Sequence, residues 1–450
     1  MAQENKRVID NETTENINKE LFTFLDSSPN AFFAVKNMCD ILDAAGMTRL
    51  FEGRKWEIEA GKGYYVTRND SSVIAFKIPK ADYKGFQIMA SHCDSPLFKI
   101  KANAEIVVDD HYVKLNVEKY GGMLCAPWMD RPLSVAGRVV VRTEAGIETR
   151  LVNIDRDLLI IPNLAIHMNR EANEGYKYNA QIDMLPLFCE KGEEDQMFTK
   201  LIATEAGVLA DDILDTDLFL YNRTPATRFG LNNEFIASAR LDDLQCAFAS
   251  LKGFIEASPG ASASVHCVFD NEEVGSGTKQ GAAGTFLADT LRRINTAMGR
   301  SEEEYLSSIA SSFLVSADNA HAVHPNHPEK ADSTNRPYLN KGIVIKYSAD
   351  QKYTTDAVSG AIMRTICDRT GVPYQTFTNR SDMKGGSTLG NILQSQVSVN
   401  AVDIGLPQLA MHSSYETAGA KDAAYLISAA KALFSSSVEG QGDGNYKLSL

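Results

Sequence analysis

Five polar clusters in this chain stand at or near the ends of apolar runs and carry residue types that bind divalent cations. They are Ser91-His92-Cys93-Asp94, Arg240-Leu241-Asp242-Asp243, Asp270-Asn271-Glu272-Glu273, Asp318-Asn319-Ala320-His321 and Met411-His412-Ser413. Taken singly, each has an ordinary structural explanation. An H-x-D can be a polar loop, Asp318 a helix N-cap, L-D-D a helix end, and His412 a satisfied core histidine. Together, His92, Asp242, Glu273, Asp318 and His412 form a five-member nitrogen and oxygen set that suits zinc, cobalt or manganese. Two ions about 3.5–4 Å apart need a ligand that touches both, and a carboxylate can do this. Asp94 fits as an acceptor for the far ring nitrogen of His92, fixing its tautomer.

The adjacent glutamates pose a physical problem. They follow the apolar run Ala263–Phe269, and two neighbouring buried carboxylates repel unless something compensates them. If a cation neutralises Glu273, Glu272 is free to act as general base on water whose pKa the cation has lowered to about 7. The alternative is two exposed turn residues, with the glycine turn Val274-Gly-Ser-Gly277 directly after them.

Such a constellation needs a scaffold. Helical periodicity runs over residues 15–47, with a break at Ser28-Pro29-Asn30, and strand patterns occupy about 62–95. A strand-rich stretch follows at 101–119 and 133–150, ending near 158–161. The polar, acidic residues 190–217 read as one or two surface helices. From about 235 onward, short apolar runs (265–269, 313–315, 343–345, 397–404) alternate with helical segments (241–257, 302–311, 357–370, 420–437). This alternation predicts an α/β fold with a mainly parallel central sheet flanked by helices. Residues 1–96 and 234–450 form one discontinuous domain in this reading, with 97–233 as a β-rich insertion. The tail after Val438 reads as frayed.

Composition limits the partners. A formal net charge of −13 over 450 residues argues against nucleic acid or an anionic membrane as the main one. Seven scattered cysteines without a C-x-x-C predict reduced thiols and no thiolate metal site. No apolar run approaches membrane-spanning length and no apolar leader is evident, so a cytoplasmic location is expected.

Beyond these clusters, the ordered series Trp128-Met-Asp-Arg131, Ile161-Pro-Asn-Leu-Ala-Ile-His167, Asp270-Asn-Glu-Glu-Val-Gly-Ser276, Ala317-Asp-Asn-Ala-His-Ala-Val-His-Pro-Asn326, Gly386-Ser-Thr388 and Met411-His-Ser413 resembles the M18 metallo-aminopeptidases, aspartyl aminopeptidase among them. The resemblance runs from near residue 20 to beyond 420. It implies a zinc-peptidase domain, interrupted by a β-rich dimerisation domain, in dimers that build a tetrahedral dodecamer. It also implies two divalent ions per subunit: one on His92, Asp242 and Asp318, the other on Asp242, Glu273 and His412, with Asp242 bridging and Glu272 as base. His167 matches a histidine that reaches the active site from the dimer partner. Lys346 and the loop Asp382–Thr388 match positions lining the substrate pocket. The implied substrates are peptides with a free, acidic N-terminal residue.

Some positions depart from the family pattern. Phe33 stands where relatives often have histidine, Asp243 stands where asparagine is usual, and His327-Pro-Glu replaces a histidine–glutamate cluster. None of these removes a ligand or the base, but they bear on the pocket and the subunit contacts. The same metal core also accommodates neutral, leucine-type specificity. A non-catalytic scaffold that kept the fold is the other alternative, and the complete ligand set with Glu272 argues against it.

Overall fold

The computed structural model describes residues 9–442 and 444–449. Its centre is a nine-stranded, mostly parallel sheet, in the order Thr48–Leu50, Gly63–Arg68, Ser72–Lys77, Ala263–Phe269, Phe86–His92, Phe313–Ala317, Asn400–Gly405, Ile343–Lys346 and Tyr374–Phe377. The middle strands are buried along their whole length, which explains their unbroken apolar runs. Side chains alternate between two cores. Val73 and Ala75 join the one built with helices Leu241–Glu256 and Asp422–Ser435, while Ile74 and Phe76 join the one built with Phe286–Ala297.

Residues 97–222 contribute a separate six-stranded, wholly antiparallel sheet, in the order Gly146–Asn153, Leu133–Thr143, Ile213–Asn222, Leu97–Val108, Tyr112–Tyr120 and Leu187–Glu190. It has its own core around Phe98, Trp128, Val135 and Leu218. A small third sheet includes Phe235–Ser238, Glu416–Gly419, Pro407–Leu409 and Ala320–His321.

Two local expectations are corrected. The acidic stretch 190–217 holds one helix, Met197–Ala206, but Ile213–Asn222 is an inner strand of the antiparallel sheet. There Leu218 and Leu220 face the core, while Asp217 pairs with Lys99 and Arg138, so alternation outweighs acidity. Among the described residues the tail is not frayed. Ser437–Gly442 pairs with Asn445–Ser449 as a hairpin, and Val438 is buried in the main core. All seven cysteines are free.

Three neighbouring parallel strands bring the site together. Phe269 lies opposite His92 and Ser316 opposite Ala90, so these strands end side by side. The crevice beyond the carboxyl ends of such strands is where an open α/β sheet binds ligands.

Candidate active site

His92 is the last residue of its strand and is 1% exposed. Its Nδ1 lies 3.0 Å from the backbone carbonyl of Asp94 and 3.4 Å from Asp94 Oδ1. The closer partner is therefore the carbonyl, not the carboxylate expected from the H-x-D spacing. With the proton on Nδ1, Nε2 presents a lone pair to Asp242 Oδ1 at 3.4 Å. Two acceptors in that relation call for a proton or a cation between them. Burial disfavours a charge on His92, but the Asp242 and Asp94 carboxylates outweigh it and hold the imidazole well above its ordinary range.

Asp242 sits at the start of helix Leu241–Glu256, and the Asp242–Asp243 peptide is cis. Its second oxygen is 3.7 Å from His412 Nε2, and Glu273 Oε2 is 3.3 Å from the same nitrogen. Ligand atoms of His92, Asp242 and Glu273 lie within 4.8 Å of one another, as do those of Asp242, Asp243 and Asp318. Asp242 is common to both groups. This grouping cuts across the implied division of ligands, because it sets His92 beside Glu273.

Asp242 Oδ1 and Glu273 Oε1 are buried without a hydrogen-bond partner. Unmet buried carboxylate oxygens are costly, and here they converge with two imidazole nitrogens. The donor set fits borderline divalent cations such as zinc, and the orphaned oxygens are where ligand atoms would be needed.

The turn after strand Ala263–Phe269 explains the double glutamate. Asn271 takes a left-handed conformation (φ 62°), which asparagine tolerates, and Glu272–Val274 form a single 3₁₀ turn. Burial, with the carboxylates of Asp318, Asp94 and Asp242 outweighing the pull of His92, pushes Glu272 up to about 8. Glu273 is driven up by burial and by Asp242.

Three further carboxylates hold these segments together. Asp94 accepts the backbone N–H groups of Glu272 and Glu273, both at 3.1 Å. Asp243 accepts those of His92 (3.3 Å) and Asn319 (3.1 Å). Glu416 accepts those of Asp242 (3.0 Å) and His412 (2.7 Å). Sequence reasoning missed the last two roles. The only signals were the second aspartate of L-D-D and a glutamate four residues after His412.

Lys346 is 3% exposed, donates to the Asn319 carbonyl (2.8 Å) and lies 3.7 Å from Asp318 Oδ1. Its ammonium thus borders the cluster but is already engaged. Asp382 is exposed and paired with Arg380 at 2.7 Å. His167 is exposed in the loop after Ile161 and, among the described residues, makes no hydrogen bond or ion pair with the ligand cluster. Within one chain, these last two are not brought to the site.

An α/β scaffold with carboxylates and imidazoles converging at its strand ends defines a metal-dependent hydrolase class, and comparison with known proteins narrows it. The family model described as "Aminopeptidase I zinc metalloprotease (M18)" matches residues 24–434. A probable M18 family aminopeptidase 2 of Clostridium acetobutylicum is 46% identical over 415 residues, covering 91% of this chain and 96% of the relative. A chain in the cryo-EM structure of the Ape4 and Nbr1 complex superposes with a TM-score of 0.91 at 34% identity, covering 95% of this chain and 87% of that one. The S. cerevesiae mApe1 dodecamer gives 0.82 at 26% identity, over 93% and 96%. The chain belongs to the M18 aminopeptidase family, a family of zinc metalloproteases. No helix among the described residues is long and apolar enough to cross a membrane.

Proposed function

We propose that this aminopeptidase removes one residue from the free amino end of peptides with the help of two divalent ions per subunit, zinc foremost and cobalt or manganese as alternatives. His92, Asp242 and Asp318 would hold one, and Asp242, Glu273 and His412 the other. The observation that carries this reading is the pair of orphaned buried oxygens: Asp242 Oδ1, opposite His92 Nε2, and Glu273 Oε1, on the carboxylate whose other oxygen lies 3.3 Å from His412 Nε2. Bound there, such ions supply Lewis acidity toward the scissile carbonyl and acidify the attacking water. Glu272 takes the proton from that water and delivers it to the departing amine. Asp94 holds the Glu272–Glu273 backbone so that the base and the ligand keep separate directions.

Lys346 is the candidate for selecting an acidic first side chain, since its ammonium borders Asp318. A second reading rests on the same lysine. Because that ammonium is already bonded to the Asn319 carbonyl, a neutral, leucine-type preference follows if it stays there. Residues 97–233 serve as the assembly domain of dimers and of a dodecamer like the yeast relative's, tetrahedral in arrangement, with His167 entering a neighbour's site.

Metal analysis of the purified enzyme, with hydrolysis of one peptide scaffold carrying each N-terminal residue in turn, tests the whole reading. About two ions per chain and preferential release of Asp or Glu are expected. Full metal occupancy with preferential release of leucine selects the second reading. Inactivity of a fully metallated protein on every scaffold rules out the catalytic one.

A further inference from the structure

The inserted sheet does more than stand beside the catalytic strands. Its strand Tyr112–Tyr120 ends at the candidate site, and Tyr120 donates a hydrogen bond of 2.6 Å to Asp94 Oδ2. The same hydroxyl accepts one from Asn271 Nδ2 at 2.9 Å. Asp94 in turn carries the backbone N–H groups of Glu272 and Glu273. A continuous chain therefore runs from the inserted sheet, through one phenol and one carboxylate, to the peptide units of the base and its neighbouring ligand.

Packing alone does not fix the carboxylate at the middle of this chain. Tyr120, Asp94, Asp270 and Asn271 border a cavity of about 250 Å³, together with Phe32, Lys99 and Arg138. A carboxylate with open space behind it is fixed by its hydrogen bonds, not by contact on all sides. Burial, with the Asp94 and Asp270 charges, pushes the Tyr120 phenol far up, so it stays protonated and acts as donor toward Asp94. The next residue, Gly121, has φ 76°, and a Cβ there would meet Glu273 Cβ at 3.1 Å. The turn of the inserted sheet is thus seated directly on the ligand-bearing turn.

We propose that Tyr120 is a positioning residue for the reaction: its hydroxyl, presented by the inserted sheet, sets the Asp94 carboxylate and through it the direction of Glu272. The inference rests on Glu272 being the base. It makes the inserted sheet part of the chemical apparatus as well as of the assembly.

The test is Tyr120→Phe, which keeps the ring and its edge-to-face contact with Phe219 and removes only the hydroxyl. Measured on the metallated, assembled enzyme, kcat should fall roughly tenfold to a hundredfold, the usual scale for a lost partner of this kind. KM, metal content and sedimentation should stay as in the parent. The decisive measurement is the double variant Tyr120→Phe/Glu272→Gln. It should be no slower than Glu272→Gln alone, because both changes act on one group. Unchanged kcat in Tyr120→Phe would overturn the proposal, and so would losses that multiply in the double variant. So would a fall explained by lost metal or altered sedimentation, because the hydroxyl's role would then be structural. If Glu272→Gln alone retains kcat, the assignment of the base has failed instead.

Discussion

His92 and His167 are both proposed site residues, yet the chain treats their surroundings in opposite ways. His92 ends a buried strand and is enclosed by Asp94, Asp242 and Asp243, all nearly inaccessible to solvent. His167 lies in a loop that leaves large apolar side chains in water: Leu164 is 54% exposed, Met168 72% and Ile182 73%. The strand-end region is assembled within one chain, with its charges, backbone clips and convergent candidate ligands in place. The loop region is apolar surface without a counterpart, the kind that marks protein contact. The proposed metal chemistry therefore needs only the fold of one chain, whereas the proposed role of His167 needs an assembly.

The largest expected effects follow from attacking the strand-end region. Glu272→Gln should keep bound metal and fold while kcat drops about 10²–10⁴-fold, the usual contribution of a positioned general base. Glu273→Gln should instead lower metal content. Atomic absorption beside steady-state kinetics separates the two, and equal metal loss in both variants would contradict distinct roles. The loop region should respond differently. His167→Ala should leave metal content intact and lower kcat/KM by roughly 10²–10³-fold if the histidine meets the reacting carbonyl across an interface. Mixing it with Glu272→Gln under conditions that exchange subunits should restore part of the activity. Unchanged kcat/KM in His167→Ala would place His167 outside the chemistry, and a loss that mixing does not restore would overturn its role across the interface.

The same contrast governs what could be read from the sequence. Unbroken apolar runs such as Ala263–Phe269 declare a strand covered on both faces, and the polar residues directly after them are then placed by topology alone. That His92, Asp242, Glu273, Asp318 and His412 lie close together was legible for that reason. The clips were not, because Asp243 and Glu416 act on backbone N–H groups of residues far away in the chain, and no local spacing encodes such a partner. The strand Ile213–Asn222 was hidden by its aspartates, of which Asp217 pairs with Lys99 and Arg138 in a way visible only in three dimensions. Lys346 was legible as a site neighbour but not as one tied to the Asn319 carbonyl.

Metal removal separates the regions in another way, through pH. Without cations, burial holds Glu272 up to about 8 from an ordinary 4.5, and holds Asp270 and Asp422 up to about 7 from 3.8. The folded state then binds more protons than the unfolded one, so stability is highest at low pH and is lost as pH rises through these values. Buried His266, held down to about 3 by desolvation, pulls the other way only below its ordinary 6.5. The clear window is therefore pH 6.5–8. Thermal melting of the chelated protein should fall across it by several degrees, while the zinc-loaded protein should show a flatter profile and its largest gain over the metal-free form at pH 8. A metal-free profile that is flat from 6.5 to 8 would mean the carboxylate cluster is not held in this compact form without ions.

The smallest effect is expected from Asp382, which sharpens the comparison from the exposed side. Its carboxylate is paired with Arg380 in solvent, with contacts of 2.9 and 2.7 Å from the guanidinium Nε and Nη2. Exposed pairs of this sort contribute little. If the loop only bounds the substrate pocket, Asp382→Ala should change KM by less than about fivefold, leave kcat and metal content alone, and alter the ranking of N-terminal residues little. The companion change Arg380→Ala should match it, since each removes one end of the same pair. A large and selective loss for acidic substrates in Arg380→Ala alone, with Asp382→Ala neutral, would move the determinant of charge preference from buried Lys346 to this exposed loop. Specificity would then belong with His167 to the outer region, and the strand ends would carry the chemistry only.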